Sequence, residues 1–472
     1  MFQPPLIHGK TPTAVRESDN ERRQIIENAG YRVVEQRECM WNQQVEVDPE
    51  LKIFVKNFDN PPQKFTSLSS FLNAIVQQKV YGIAEVDICV PDNLKDFFKE
   101  LPPIFKNTVV ERQHLSAEMQ EYAKEFGLMK NGWKCLVASY FGEKIMLSTD
   151  YIKWCLDHGL IVTKCYQFLS YKKAQPFKDF LDFVTENRRR GDIDKSLSVI
   201  AETSKLIGNS AYGIQLINKA KFENTLFVDE KKVDKKINSP MFRSYDVVDD
   251  KVYEINMAKR KIVHDEPILV GFTVLNNGKQ RMLEFRYDFL GRVMRPRSFR
   301  AIEMDTDSLY MALTEDSLYE CFTDIAKAEM KENDKCYHEQ QDCYQPNADL
   351  NFLTRSCCKK HIALDKRTPG IFKIEWNGTE MICLNSKTYC AFNAENKKMK
   401  MALKGSNRNL QSPLERFKSV LFNKTPYEGT NKGFRYYKGK MFTYKQNKTS
   451  ITYFYYKRFV HADGVTTSPI NV

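Results

Sequence analysis

The chain has 472 residues, with 72 Lys+Arg against 60 Asp+Glu, and 42% of its residues are apolar. That composition excludes wholesale disorder, and the length calls for more than one core, since a single core stops growing near roughly 250–300 residues. The longest apolar run, Pro267–Leu275, is far short of the roughly 20 residues a helical membrane span needs; no basic, apolar leader opens the sequence, so its 12 cysteines read as reduced, mostly buried thiols.

In chain order, the pattern predicts a helix over Asp19–Ala29 and a strand over Tyr31–Val34, with a break at Asn60-Pro-Pro-Gln63. Tyr81–Val90 reads as a strand closed by Pro91, Thr149–His158 as a helix stopped by Gly159, and Leu160–Leu169 as a strand. Phe177, Phe180, Leu181 and Val184 repeat at helical spacing, so a helix is expected to bury that face and to stop at Gly191. Asp192 or Asp194 can cap a second helix whose stripe is Leu197, Ile200, Ala201 and Ile207, giving an αα-hairpin. A polar stretch, Asp229–Arg260, precedes a helix over Gly271–Phe289, and Phe299–Leu313 alternates as a strand or hairpin around a carboxylate pair.

Charge is unevenly spread. From Arg355 to Val472 there are 23 Lys+Arg against 7 Asp+Glu, a net of +16, while the first 354 residues carry a net of −4. Aromatics interleave with this charge at Phe434–Lys438, Phe442–Lys445 and Tyr453–Arg458. Two readings stay open: a channel that tracks a nucleic-acid backbone, or strands with a packed aromatic face and a solvated basic face.

Two motifs carry chemistry. Asp305 and Asp307 lie two apart in Glu303-Met-Asp-Thr-Asp-Ser308, and on a strand they would share a face. Paired like charges are costly unless a cation neutralises them, as Mg²⁺ would; two exposed acids at a turn are the alternative. In Lys205-x-x-x-Asn209-Ser210-x-Tyr212-Gly213 the Lys, Asn and Tyr fall on one face of a helix end, where lysine meets phosphate as a point charge and Gly213 allows close approach. The alternative there is a helix end with a solvated Lys, a capping Asn and a core Tyr.

In this order the two motifs resemble motifs B and C of family B DNA polymerases, and Ser386-Lys387-Thr388-Tyr389 resembles the Lys-x-Tyr motif of the protein-primed branch. Tyr81–Pro91, Pro103–Asn107, Pro369–Glu375 and Asp463–Thr467 are similar to segments of the polymerases of self-synthesising DNA transposons, the Polinton-like elements. Thr306 separates the aspartates, whereas reverse transcriptases and RNA replicases usually carry adjacent ones.

The resemblance implies an α+β fold: a palm with an antiparallel sheet and packed helices, a two-helix fingers hairpin and a basic thumb-like C-terminal region. The divisions it implies are residues 1–60, 61–170 (palm, first part), 171–215 (fingers), 216–390 (palm with motif C and an insertion) and 391–472 (thumb-like). It implies template-directed addition of dNTPs to a primer 3′-hydroxyl, with DNA primer–template and dNTP as partners, a terminal protein as a further one, and no membrane. Asp307 and Asp305 would hold Mg²⁺; Lys205, Asn209 and Tyr212 would bound the nucleotide. Lys387 and Tyr389 would hold the primer strand, and Lys404, Lys457 and Arg458 would meet DNA. Glu303 stands where many members have Tyr. Counting back from a tip at Gly191 puts Lys178, and not Arg188–Arg190, at the depth of Lys205. The nucleus is the expected compartment if a eukaryotic mobile element encodes the chain.

The usual motif A, Asp-x-x-Ser-Leu-Tyr-Pro, is not found; Asp316-Ser-Leu-Tyr319 has the letters at the wrong spacing, and Asp87 is the stand-in metal ligand. Within residues 1–60, Asn20–Arg23, Gly30–Val34 and Arg37–Trp41 resemble the closing half of a Vsr-like endonuclease module, a linker being the alternative, with motif A expected upstream. A DNA-binding remnant without catalysis is the alternative. Cys336, His338, Cys343, Cys357, Cys358 and His361 cluster at a spacing that fits no standard zinc pattern, so scattered core thiols are the expectation.

Overall fold

In this computed structural model the described residues are 65, 67–249, 251–333, 352–354, 359–403, 405–437 and 440–472. The elements expected before Asn60, the endonuclease-like segment, Lys404 and the cysteines and histidine of 336–358 lie outside them, as does the His361 side chain. The chain is mixed α+β with small antiparallel sheets, and it divides into two compact units. No described helix is long and apolar enough to cross a membrane.

The larger unit opens with α1 (Leu68–Val76), β1 (Gly82–Cys89), β2 (Ile104–Val110), α2 (Ala117–Glu125), β3 (Trp133–Ser139), β4 (Phe141–Ser148), α3 (Thr149–Asp157) and β5 (Ile161–Ser170). β1 lies between β4 and β5. Its alternation turns Val86 and Ile88 inward, onto Phe71 and Ile75 of α1 and Tyr151 and Ile152 of α3, and leaves Glu85 and Asp87 on the other face. The Ser148 hydroxyl caps α3 by accepting the Tyr151 N–H at 3.3 Å, and Gly159 at φ +81° ends it, as its sequence predicts.

Next come α4 (Lys178–Ile193) and α5 (Ser198–Gln215), the expected αα-hairpin, with two corrections. Gly191 does not stop α4; it sits inside, where a Cβ would come within 2.4 Å of the Ala201 Cβ, and a Cβ on Gly208 would meet Val184 at 3.2 Å. The seam is therefore made of small residues and Val184, because only they let the backbones come this close. The larger apolar residues flank that seam: Phe177, Leu181, Ile200 and Ile207 are exposed, where the helical spacing predicted burial. Asp194 caps the short 3-10 turn Lys195–Leu197 that leads into α5, accepting the Ser196 N–H at 2.8 Å.

The smaller unit covers residues 212–268 of those described. The polar stretch there folds as β6 (Glu223–Asp229), α6 (Glu230–Ile237), β7 (Phe242–Asp249) and β8 (Val252–Ala258), a sheet ordered β6-β8-β7 around Ile255, Met241 and Met257.

The larger unit resumes with α7 (Ile268–Leu283), which passes into a π-helical stretch, Glu284–Leu290. That stretch packs Phe285 and Phe289 on Phe322 and Phe352. β9 (Phe299–Asp305) and β10 (Ser308–Leu313) form a hairpin, the second of the two arrangements the alternation allowed. After α8 (Lys359–Asp365) come β11 (Glu380–Asn385), β12 (Thr388–Phe392) and β13 (Met399–Leu403), which make a further three-stranded antiparallel sheet. α9 (Pro413–Asn423) buries Phe417 and Val420 in a core shared with Met119 and Tyr122 of α2. β14 (Tyr427–Tyr437) and β15 (Lys440–Ile451) pair only with each other as a long ribbon, and β16 (Arg458–Val460) pairs with β17 (Thr467–Pro469).

Candidate functional site

The carboxylate pair sits at the tip of the β9–β10 hairpin. Asp305 and Ser308 close a two-residue turn, Thr306–Asp307, with Thr306 at φ +56° and the Asp307 N–H donating to the Asp305 carbonyl at 2.6 Å. Asp305 thus ends a strand while Asp307 lies on the turn, and the two are not same-face strand neighbours. Asp307, Ser308, Leu309 and Tyr310 line a cleft of about 2420 Å³, and Lys205, Gly208 and Asn209 of α5 line the same cleft. Asp307 and Lys205, about a hundred positions apart in sequence, therefore face one space. Tyr212 follows on the same helix, at the start of the smaller unit.

Arg188 also lines this cleft, and Lys178 does not. The seam fixes the register: Val184 meets Gly208 and Gly191 meets Ala201, so Lys205 is level with Asn187–Arg188. The turn lies at 194–197 and not at Gly191, which reverses the depth argument made from the sequence. Lys178 is nine residues lower, roughly 13 Å along the axis, in an exposed ion pair with Asp182 at 2.6 Å. In the rest of the arginine run, Arg190 is exposed and Arg189 is tied to neighbouring segments. Arg189 donates to the Leu364 carbonyl at 3.2 Å and the Thr368 hydroxyl at 3.3 Å, and neighbouring Asp192 is gripped by Arg367. The helix continuing past Gly191 is what delivers these side chains to α8 and the loop after it.

Lys387 reaches the aspartates from β11–β12. It is the second residue of the Ser386–Lys387 turn, at φ +60°, and its Nζ is 3.3 Å from an Asp305 carboxylate oxygen. The Tyr389 hydroxyl is 2.6 Å from that of Tyr310, and the ring is nearly buried. Burial and that contact push the Tyr389 phenol well above its ordinary range. Beneath Asp305, Glu303 is only 8% exposed; it accepts the Lys387 N–H at 3.0 Å and the Cys383 thiol at 2.9 Å. Desolvation pushes its carboxyl above the usual range, and the Cys383 thiol is raised as well. Sequence reasoning missed Cys383, Tyr310 and Arg188. Tyr310 was open to inference, because hairpin register sets it opposite Glu303.

Asp87 is engaged elsewhere. It accepts the Lys144 N–H at 2.7 Å and the Tyr166 hydroxyl at 2.8 Å, and that backbone donor chiefly holds its carboxyl below the usual range. It does not line the cleft, and among the described residues no group of three His, Cys, Asp or Glu side chains is gathered as a metal site. Of the aspartate pair only Asp307 lines the cleft; the Asp305 carboxylate does not, and it is engaged by the Lys387 ammonium.

The basic C-terminal region splits between the two readings. Tyr453 and Phe454 are buried, with Phe454 stacked on Tyr122 at 6.0 Å, so that segment is core. The Arg458 guanidinium donates to the Lys99 and Thr467 carbonyls and the Thr467 hydroxyl, and Lys457 beside it is half-buried. The ribbon is different: Phe434 and Tyr444 are exposed, and Lys432 and Lys445 are exposed register partners.

No family model, curated protein or solved structure matches this chain.

Proposed function

We propose that this chain is the nucleotide- and primer-holding part of a DNA polymerase of the family B type, adding dNTPs to a primer 3′-hydroxyl on a DNA template. In this reading the sheets with β9–β10 are palm, α4–α5 the fingers, and the ribbon a thumb-like element against duplex product. The supporting observation is that Asp307 and Lys205, from elements remote in sequence, line one cleft.

The roles follow from charge and position. Lys205 and Arg188, level on two helices, would neutralise the triphosphate from the fingers side. Asn209, one turn beyond Lys205, would bound the nucleotide. Lys387 would hold the primer strand beside Asp305, with Tyr389 fixing β12 against Tyr310. Asp305 and Asp307 would hold Mg²⁺, which supplies a lowered pKa for the primer hydroxyl and neutralises phosphate charge. A terminal protein carrying the priming hydroxyl is a further partner of this reading.

Primer extension with Mg²⁺ tests it. The wild-type chain is expected to extend a recessed 3′ end, and Asp307→Ala to lose extension at least about a hundredfold while keeping duplex binding, the size of loss typical when one transition-state charge partner is removed. The occupation of Asp87 by Lys144 and Tyr166 favours a second reading, a DNA-binding chain that lacks the carboxylate of motif A and does no chemistry by itself. Binding of primer–template by the wild type without extension selects that reading.

A further inference from the structure

We infer that Glu303 is a positioning residue for the primer strand: its carboxylate clamps the Ser386–Lys387 turn onto β9 and so sets the reach of the Lys387 side chain to Asp305. The inference rests on the primer-holding reading of Lys387, and it concerns a position where the resembling polymerases usually carry Tyr.

Hairpin β9–β10 and sheet β11-β12-β13 share no strand pairing, so side chains set their spacing. Two links do so at the tip. Glu303 Oε1 accepts the Lys387 N–H and Oε2 accepts the Cys383 thiol, while Tyr310, opposite Glu303 in the register, meets Tyr389 hydroxyl to hydroxyl. Lys387 sits at φ +60°, the left-handed conformation that a two-residue hairpin turn takes. The clamp holds this residue on the N–H side, and the Asp305 contact at 3.3 Å holds its other end. Glu303 and Asp305, two apart on one strand, therefore engage the backbone and the ammonium of a single lysine.

Packing alone does not call for a carboxylate here. An apolar side chain of similar volume fills a buried site at lower cost than an acid does, whereas an acid with two donors fixes an orientation. Lysine is long and flexible, so its ammonium samples a wide arc unless its backbone is pinned.

The experiment is a double-mutant cycle on equilibrium binding of a recessed-3′-end DNA duplex, with dNTP KM measured alongside. Glu303→Ala is expected to weaken duplex binding about tenfold, as loss of a charge-assisted hydrogen bond does, with dNTP KM changed less than about twofold. Glu303→Gln, which keeps an acceptor for the Lys387 N–H, should restore most of the binding. Lys387→Ala should weaken binding comparably, and the double variant should bind no worse than Lys387→Ala alone, because both changes remove one function. Additive losses, an equal rise in dNTP KM, or no rescue by Gln overturn the inference and leave the polymerase reading intact. If Glu303→Ala fails to fold, Glu303→Met takes its place in the cycle. A wild type that binds without extending refutes catalysis, and the cycle still decides on Glu303; a wild type that does not bind recessed duplex overturns both.

Discussion

Asp192 and Arg367 meet through two hydrogen bonds, at 2.7 and 2.6 Å, one to each carboxylate oxygen, and Lys366 adds an ion pair at 3.3 Å. This fork joins the end of α4 to the loop after α8, next to the Arg189 hydrogen bonds with Leu364 and Thr368. Chiefly through the Arg367 hydrogen bonds, the Asp192 carboxyl is drawn down to about 2. A lowered carboxylate pKa means stability present above the unfolded value near 4, lost as pH falls towards 2. Asp192→Asn is therefore expected to cost about 1.5–3 kcal/mol at pH 7, the range for hydrogen bonds to charged groups. Urea titrations should show the gap from wild type closing between pH 4 and 2. A gap that is constant with pH refutes the role given to the carboxylate charge.

Gly191 makes a second prediction. An added methyl would overlap the Ala201 Cβ at 2.4 Å with the Leu197 carbonyl 3.2 Å away, so Gly191→Ala must separate the helices. Overpacking of this kind costs about 1–3 kcal/mol. Gly208→Ala meets only the Val184 methyl at 3.2 Å and should cost less. Thermal unfolding of the two variants gives the order; equal effects would show that the seam is looser than these distances.

Much of the chain was legible because single elements obey local rules. β1, α3 and β5 are delimited by Pro91 and Gly159, and they fall where expected within a residue or two. The αα-hairpin was also legible as a motif, but its packing was not: glycine in a helical pattern reads as a stop, while here it permits a close approach whose partner, Ala201, only the fold identifies. The same error displaced the tip and exchanged Arg188 for Lys178. Asp305, Asp307 and Lys387 were visible as motifs, yet the clamp among Glu303, Cys383 and Lys387 depends on the meeting of two sheets that share no strand pairing. No periodicity in the sequence encodes that meeting.

The register of the helical hairpin separates three cations. In the polymerase reading Arg188→Ala and Lys205→Ala are each expected to raise dNTP KM about tenfold or more, since each would remove one charge-assisted hydrogen bond to phosphate. Lys178→Ala, whose ammonium is paired with Asp182 well below that level, should change KM less than about twofold. Single-nucleotide incorporation kinetics read this out. A Lys178 effect as large as that of Lys205 would restore the register inferred from the sequence and refute the one set by Gly191 and Gly208.

The ribbon makes a prediction in two opposite directions. Lys432 and Lys445 are directly paired across β14 and β15, both exposed, and like charges so placed are destabilising. An arrangement unfavourable in the free protein becomes favourable when a polyanion lies along it, and a two-stranded ribbon is a shape the DNA major groove admits. Lys445→Glu replaces repulsion with an opposite-charge pair. It should stabilise the free protein slightly, by about 0.2–1 kcal/mol, while weakening duplex binding and lowering the slope of log K against log salt by nearly one unit for each phosphate that is no longer neutralised. Denaturation and salt-dependent binding of this one variant test both halves: weaker binding with an unchanged salt slope would place DNA elsewhere on the molecule, and the ribbon would then lose its thumb-like role.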